Sequence, residues 1–256
     1  MSQELLHKVE SKAPHMVPLV QKTMFEARML KLTPGRDKAA VLAIIDCSGS
    51  ANKLFRDGTI QNTADMALAA GLTFDDDGAV PIAYFGSRVF ELGEITLDNC
   101  AGFVERNPTK GGGTRYVPAL KWVIKTAGYE KVNLTQSGGG LFSRNRGSSK
   151  LEIKARAEYP VFVIFITDGE ADDRKEAEKL ITLMSQLPIF IQFVGVGPHT
   201  FRFLRQLDDL KGRMIDNAGF FDAKDAGGDE SAMLRGLLNE FPEYIEKARK
   251  IGLITG

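Results

Sequence analysis

Val41-Leu42-Ala43-Ile44-Ile45-Asp46-Cys47-Ser48-Gly49-Ser50 is an apolar run that ends in an acid, followed by two hydroxyls one residue apart. An apolar run this continuous, bounded by turn residues, reads as a strand buried on both faces. In an open α/β sheet, ligands bind just beyond the carboxyl ends of the strands. Asp46, Ser48 and Ser50 therefore stand where such a sheet does its chemistry. All three offer hard oxygen ligands suited to Mg²⁺, Ca²⁺ or Mn²⁺.

The same kind of run recurs along the chain. Residues 79–85, 160–167 and 189–196 are apolar strands, and 220–222 is a short last one. Residues 58–74, 116–129, 174–186 and 201–210 carry apolar side chains at helical spacing. Residues 229–251 close the chain as helical segments interrupted at Pro242. Alternating strands and helices predict an α/β fold: a doubly wound, mainly parallel sheet with helices on both faces. One pair departs from this. Gly86-Ser87 leads straight from the second strand into Val89 to Leu92. A link so short forces an antiparallel edge strand, because a parallel crossover needs about a dozen residues.

Residues 1–36 read as a helical extension packed on a domain formed by residues 37–256. Leu5, Leu6 and Val9 mark a short helix ended by Pro14, and Pro18 opens a second. Leu19, Val20, Thr23, Met24, Ala27 and Leu30 give that helix its apolar side, and Thr33-Pro34-Gly35 stops it. Residues 51–57 read as a polar loop and 98–106 as a short helix. Asp75-Asp76-Asp77-Gly78 is a solvated turn without the spacing of an EF-hand. Residues 131–158 form a flexible insertion with Gly138-Gly139-Gly140 in it and a short ordered piece over 151–155. Asp173, with Glu176 three residues on, is a capping box for the helix at 174–186.

Lys plus Arg equals Asp plus Glu at 33 each, so charge gives no case for nucleic acid or an anionic membrane as main partner. Two cysteines, Cys47 and Cys100, make no disulfide framework and fit a reducing compartment. The first residues, MSQELLHKVESK, lack an apolar signal core, and no run approaches the ~18 residues of a membrane span. A cytoplasmic protein is expected, with room for peripheral membrane association.

Three loops now hold compatible ligands: Asp46-x-Ser48-x-Ser50, Thr114 after Gly111-Gly112-Gly113, and Asp168 in Thr167-Asp168-Gly169. The glycine run is not a nucleotide P-loop, since Gly-Thr-Arg replaces the required Gly-Lys-Ser/Thr. In this order, each at a strand or helix edge, the three loops resemble the metal-ion-dependent adhesion site (MIDAS) of von Willebrand factor A (vWA) domains. The resemblance covers residues 37–256. Asp46-Cys47-Ser48-Gly49-Ser50 with Phe55-x-x-Gly58-x-Ile60-Gln61, Phe85-Gly86, Phe165-Ile166-Thr167-Asp168-Gly169-Glu170 and Leu237-Leu238-Asn239-Glu240-Phe241-Pro242 are similar to one bacterial branch. That branch is the A domains of tellurium-resistance (Ter) proteins of the TerF type, which are related to the copines. Ala51 departs from it, where that family often has Met.

The resemblance implies roles. Ser48, Ser50 and Thr114 would offer hydroxyls to an ion, Mg²⁺ first and Ca²⁺ or Mn²⁺ as alternatives. Asp46 and Asp168 would supply the charge. The open coordination position would take an Asp or Glu from a protein partner, within a Ter assembly serving the stress response. No enzyme is implied, hence no catalytic residue and no organic cofactor. An alternative is a metal-dependent phosphatase, since haloacid-dehalogenase-like enzymes also begin with an acid after the first strand. They need a second acid two residues on, where Ser48 stands, and a committed lysine that no motif places here. Cys47 as a nucleophile has no histidine placed to activate it, as His7, His15 and His199 lie outside the three loops. A scaffold with the ion site unused is the remaining alternative.

Overall fold

A computed structural model describes residues 3–75, 78–134, 152–169 and 171–256. In chain order the elements are α1 (Gln3–Lys12), α2 (Val17–Met29), β1 (Ala40–Asp46), α3 (Asn52–Arg56), α4 (Thr59–Phe74), β2 (Val80–Phe85), β3 (Val89–Ile95) and α5 (Phe103–Arg106). They continue with α6 (Tyr116–Thr126), β4 (Val161–Thr167), α7 (Arg174–Met184), β5 (Ile189–Gly195), α8 (Arg202–Asp208), β6 (Ala218–Asp222), α9 (Glu230–Leu238) and α10 (Phe241–Lys250).

The strands form one sheet in the order β3-β2-β1-β4-β5-β6. All pairings are parallel except β2 with β3. The expected antiparallel strand is therefore present, at the edge. Burial explains the sequence patterns. β4 and β5 are buried along their whole length, as strands covered on both faces must be. β3 is largely open to solvent and can carry Glu91 and Glu94.

Residues of β1 alternate between two apolar layers. Val41, Ala43 and Ile45 face α1, α2, α4, α9 and α10. Leu42 and Ile44 face α6, α7 and α8. In α4, Gly71 lets helix and sheet touch, because a Cβ there would lie 2.4 Å from the Val80 side chain. α2 packs on α4 and α9 and shares their core. Glu26, buried on α2, is held by Arg235 of α9 at 2.9 and 3.2 Å.

Several local expectations need correction. Residues 51–57 are not simply a loop, since α3 forms there. Leu54 and Phe55 pack on the core, and the Phe55 ring meets Tyr84 edge-on at 5.3 Å. The helix expected over 98–106 begins only at Phe103, because Thr96 N–H bonds Asn99 Oδ1 and makes a turn first. Of the 131–158 stretch, 135–151 lie outside the described residues, as do Asp76 and Asp77 of the acidic turn. Residues 152–156 form neither helix nor strand, and Ala157 bridges to Ile254.

Candidate metal centre

The three loops converge at the carboxyl ends of β1 and β4. Asp46 closes β1 and pairs in register with Phe85. Its Oδ1 accepts the Ser48 N–H at 2.8 Å, and its Oδ2 accepts the Thr167 hydroxyl at 2.8 Å. The Ser48 and Ser50 hydroxyls lie 3.1 Å apart, and Ser50 donates to Asp168 Oδ1 at 3.1 Å. Asp46, Ser48, Ser50 and Asp168 thus form one hydrogen-bonded cluster.

Thr114 reaches this region through a stitched glycine loop. Gly111 N–H bonds Cys47 O at 2.8 Å, and Gly111 O accepts from Ser87 N–H at 2.8 Å. Gly49 N–H bonds Gly112 O at 3.2 Å. A Cβ on Gly111 would lie 2.6 Å from the Cys47 sulfur, and one on Gly86 would lie 2.4 Å from Gly111 O. The glycines are thus needed to bring the loop against the ends of β1 and β2. Thr114 N–H bonds Asp172 Oδ2 at 3.1 Å, and Thr114 O accepts from Asp172 N–H at 2.8 Å. Its hydroxyl makes no hydrogen bond among the described residues.

Asp173 does not form the expected capping box, as its side chain caps nothing on α7. It crosses instead to α6, where Oδ1 accepts from Tyr116 N–H at 2.8 Å and Oδ2 from Val117 N–H at 2.9 Å. The first turn of α6, just after Thr114, is thereby tied to the loop that bears Asp168. The sequence pattern favoured the local partner because a capping box is judged by spacing alone.

Sequence reasoning also passed over Thr167 and Tyr116. Tyr116 is fully buried, packs on Phe165 at 4.9 Å and Phe85 at 5.7 Å, and reaches Thr167 Oγ1 at 3.2 Å and Gly169 O at 3.0 Å. Thr167 directly precedes Asp168 in an otherwise apolar strand, which was the available signal.

Counter-charge distinguishes this cluster. Among the described residues six acids are buried: Glu26, Asp37, Asp46, Asp168, Asp173 and Asp222. Four face an arginine: Glu26–Arg235, Asp37–Arg249, Asp173–Arg115 and Asp222–Arg205. Asp46 (1% exposed) and Asp168 (3%) have no cationic partner among the described residues. Burial pushes the Asp46 carboxyl up to about 6, against the hydrogen bonds from Ser48 and Thr167, and the Asp168 charge adds to the rise. Two buried carboxylates without a cation, bridged by hydroxyls, are a donor set that fits a hard divalent ion. Asp46, Ser48, Ser50, Thr114 and Asp168 are the residues that could hold such an ion, directly or through water. Burial and the Asp46 charge push the Cys47 thiol up to about 12, so it stays protonated.

Known proteins place the chain. It is 28% identical over 223 residues to the uncharacterized protein YcbR of Bacillus subtilis, covering 84% of this chain and 81% of that one. It is 24% identical over 263 residues to Copine-C of Dictyostelium discoideum, covering 88% of this chain but only 45% of the copine. Among solved structures, the manganese-loaded TRAP protein of Plasmodium vivax superposes with a TM-score of 0.51 at 17% identity, over 80% of this chain and 73% of that one. That likeness establishes the fold. The family of vWA domains found at the C terminus of TerF matches residues 38–254, and the chain belongs to that family.

Proposed function

We propose that this protein is a divalent-ion-dependent protein-interaction module. Asp46, Ser48, Ser50, Thr114 and Asp168 hold the ion, and a partner's Asp or Glu completes its coordination. The observation that carries this is the pair Asp46 and Asp168, buried without a counter-charge yet bridged through the Ser48 and Ser50 hydroxyls. Hydroxyl ligands neutralise less of an ion's charge than carboxylates, which leaves attraction for an external carboxylate. Mg²⁺ is the proposed ion, because it retains open, water-filled positions when few carboxylates bind it. The manganese-loaded state of the TRAP protein, which shares the fold, supports a divalent ion here.

No turnover is proposed. Asp46 and Asp168 have no lysine partner among the described residues, and Cys47 is held as a neutral thiol. The family points to a tellurium-resistance or stress-response assembly, which we place in the cytoplasm. Among the described residues no helix is long and apolar enough to cross a membrane. Cys47 and Cys100 are both buried, and burial raises both thiols. Neither is poised to react with tellurite, so a role in resistance runs through protein partners.

The test is a thermal-stability titration with Mg²⁺, Mn²⁺ and Ca²⁺ on wild type and Asp46→Ala. Saturable stabilisation in wild type that vanishes in the variant is expected. Equal responses in the two proteins, or phosphoester turnover lost with Asp46, would refute the reading.

A further inference from the structure

Beside the ion loops lies a groove of about 730 Å³ between α3 on one side and α5 with the segment that follows it on the other. Its floor is apolar, made by buried Val104 and half-buried Phe55, and exposed Pro108 also lines it. Arg56 and Lys110 stand on its rim, with Glu105 the one acid there. Both cations are exposed, and neither has an ion pair among the described residues. Among the described residues the Arg56 side chain bonds only the carbonyl of Asn52, at 3.3 Å.

The groove is continuous with the ion loops through two short links. Asn52, on its wall, donates to Gly49 O at 2.7 Å, between the two serines of the cluster. Lys110 precedes Gly111, which bonds Cys47 O beside Asp46. Whatever reaches the ion with a carboxylate therefore lies next to an apolar floor under a basic rim.

Resting on the reading above, we propose that this groove is the second half of the partner site. It takes an apolar side chain from the same acidic segment whose carboxylate reaches the ion. The partner is thus an extended stretch carrying one carboxylate for the ion, one apolar residue a short step away, and further acids that face Arg56 and Lys110. Three features of the groove support this occupant. Its volume suits a recognition site, about 300–1,000 Å³. Its floor rewards burial of an apolar group. Its rim is complementary to acids and repels basic segments.

Fluorescent glycine-serine decapeptides provide the test. One set carries a single Asp. A second adds Leu one to four positions to either side of it. A third adds Glu beyond the Leu. Binding is read by anisotropy with Mn²⁺ and with a chelator, alongside the Mn²⁺ stabilisation of each protein.

At one spacing the Leu peptides are expected to bind about tenfold more tightly than the Asp peptide. The added Glu brings a few-fold more, fading as salt is raised. Arg56→Gln with Lys110→Gln should remove the Glu increment and still leave a saturable Mn²⁺ stabilisation, since neither residue belongs to the ion cluster. If Mn²⁺ stabilises the protein but peptides with and without Leu bind alike, the groove proposal falls and the ion site stands. If Mn²⁺ gives no stabilisation, the ion reading falls and the groove proposal with it.

Discussion

Asp46 and Asp168 meet at the carboxyl ends of β1 and β4, whereas Asp208 and Glu240 meet at the outer edge of β6. In both places burial pushes carboxyls up: Asp46 to about 6, Asp208 to about 6 and Glu240 to about 7. The neighbours differ. Ser48, Ser50 and Thr167 surround the first pair with hydroxyls. At the second, Asp208 and Glu240 bond each other, an arrangement that needs a proton on one of the two. Arg213 lies alongside, pairs with Asp216 at 2.8 Å and donates to Ala218 O at 3.4 Å, while Glu240 accepts the Phe220 N–H. Those last two bonds cap the open edge of β6, a common protection for an edge strand. Raised carboxyls therefore mark burial in both places. The metal-like character of the first comes from spare hydroxyl lone pairs and a missing cation.

Asp46→Asn is the strongest way to break this contrast. The amide keeps an acceptor for Ser48 N–H and can donate to Thr167, so the ion-free variant should be at least as stable as wild type. At an ion concentration a hundredfold above Kd, wild type gains about 2.7 kcal/mol and the variant nothing. Glu240→Gln should retain the whole gain. Denaturant unfolding with and without Mn²⁺ measures all three. A gain that survives in Asp46→Asn would move the ion elsewhere.

Asp173→Ala probes what holds the first site together. It leaves the Tyr116 and Val117 N–H groups without their carboxylate, at a cost of about 2 kcal/mol. Amide exchange at the start of α6 should speed up with it. Asp173→Asn, which retains an acceptor, should cost less. Unchanged exchange in the alanine variant would show that the first turn of α6 does not depend on this carboxylate.

These residues also show what a sequence can reveal. The four parallel pairings and the antiparallel edge were legible because buried strands read as unbroken apolar runs and a two-residue link allows one geometry. The Asp46, Ser48, Ser50 and Asp168 cluster was legible because strand ends fix where such residues emerge. Asp173 was misread because its partners lie 56 and 57 residues away, and spacing records only local bonds. α3 was missed since its five residues are mostly polar, and its helix rests on the burial of Leu54 and Phe55. The Glu26–Arg235 pair, 209 residues apart, left no local trace for the same reason.

The smallest expected effect lies at the β6 edge and appears as a pH dependence. Asp208 and Glu240 hold protons more tightly in the folded chain than the ordinary carboxylate value of about 4. The causes are burial first, then the charges of Asp216 and Asp209 for Asp208, and the charges of Asp208 and Asp216 for Glu240; Arg213 opposes the rise at Asp208 and the Phe220 N–H opposes it at Glu240. The pair's contribution to stability is therefore complete below about pH 4 and is lost as pH rises through about 6 to 7. Glu240→Gln removes the second carboxyl while keeping an acceptor for Phe220 N–H. Near pH 5 the variant should match wild type. Near pH 8 it should be more stable by on the order of 1 kcal/mol, the full conversion being reduced because both carboxyls stay half exposed. Other acids shape the absolute curve equally in both proteins, so the difference between the two curves is what to measure. A difference that stays flat from pH 5 to 8 would mean that neither burial nor the Asp208 charge raises the Glu240 carboxyl in the folded chain, and the contrast with Asp46 and Asp168 would then rest on counter-charge alone.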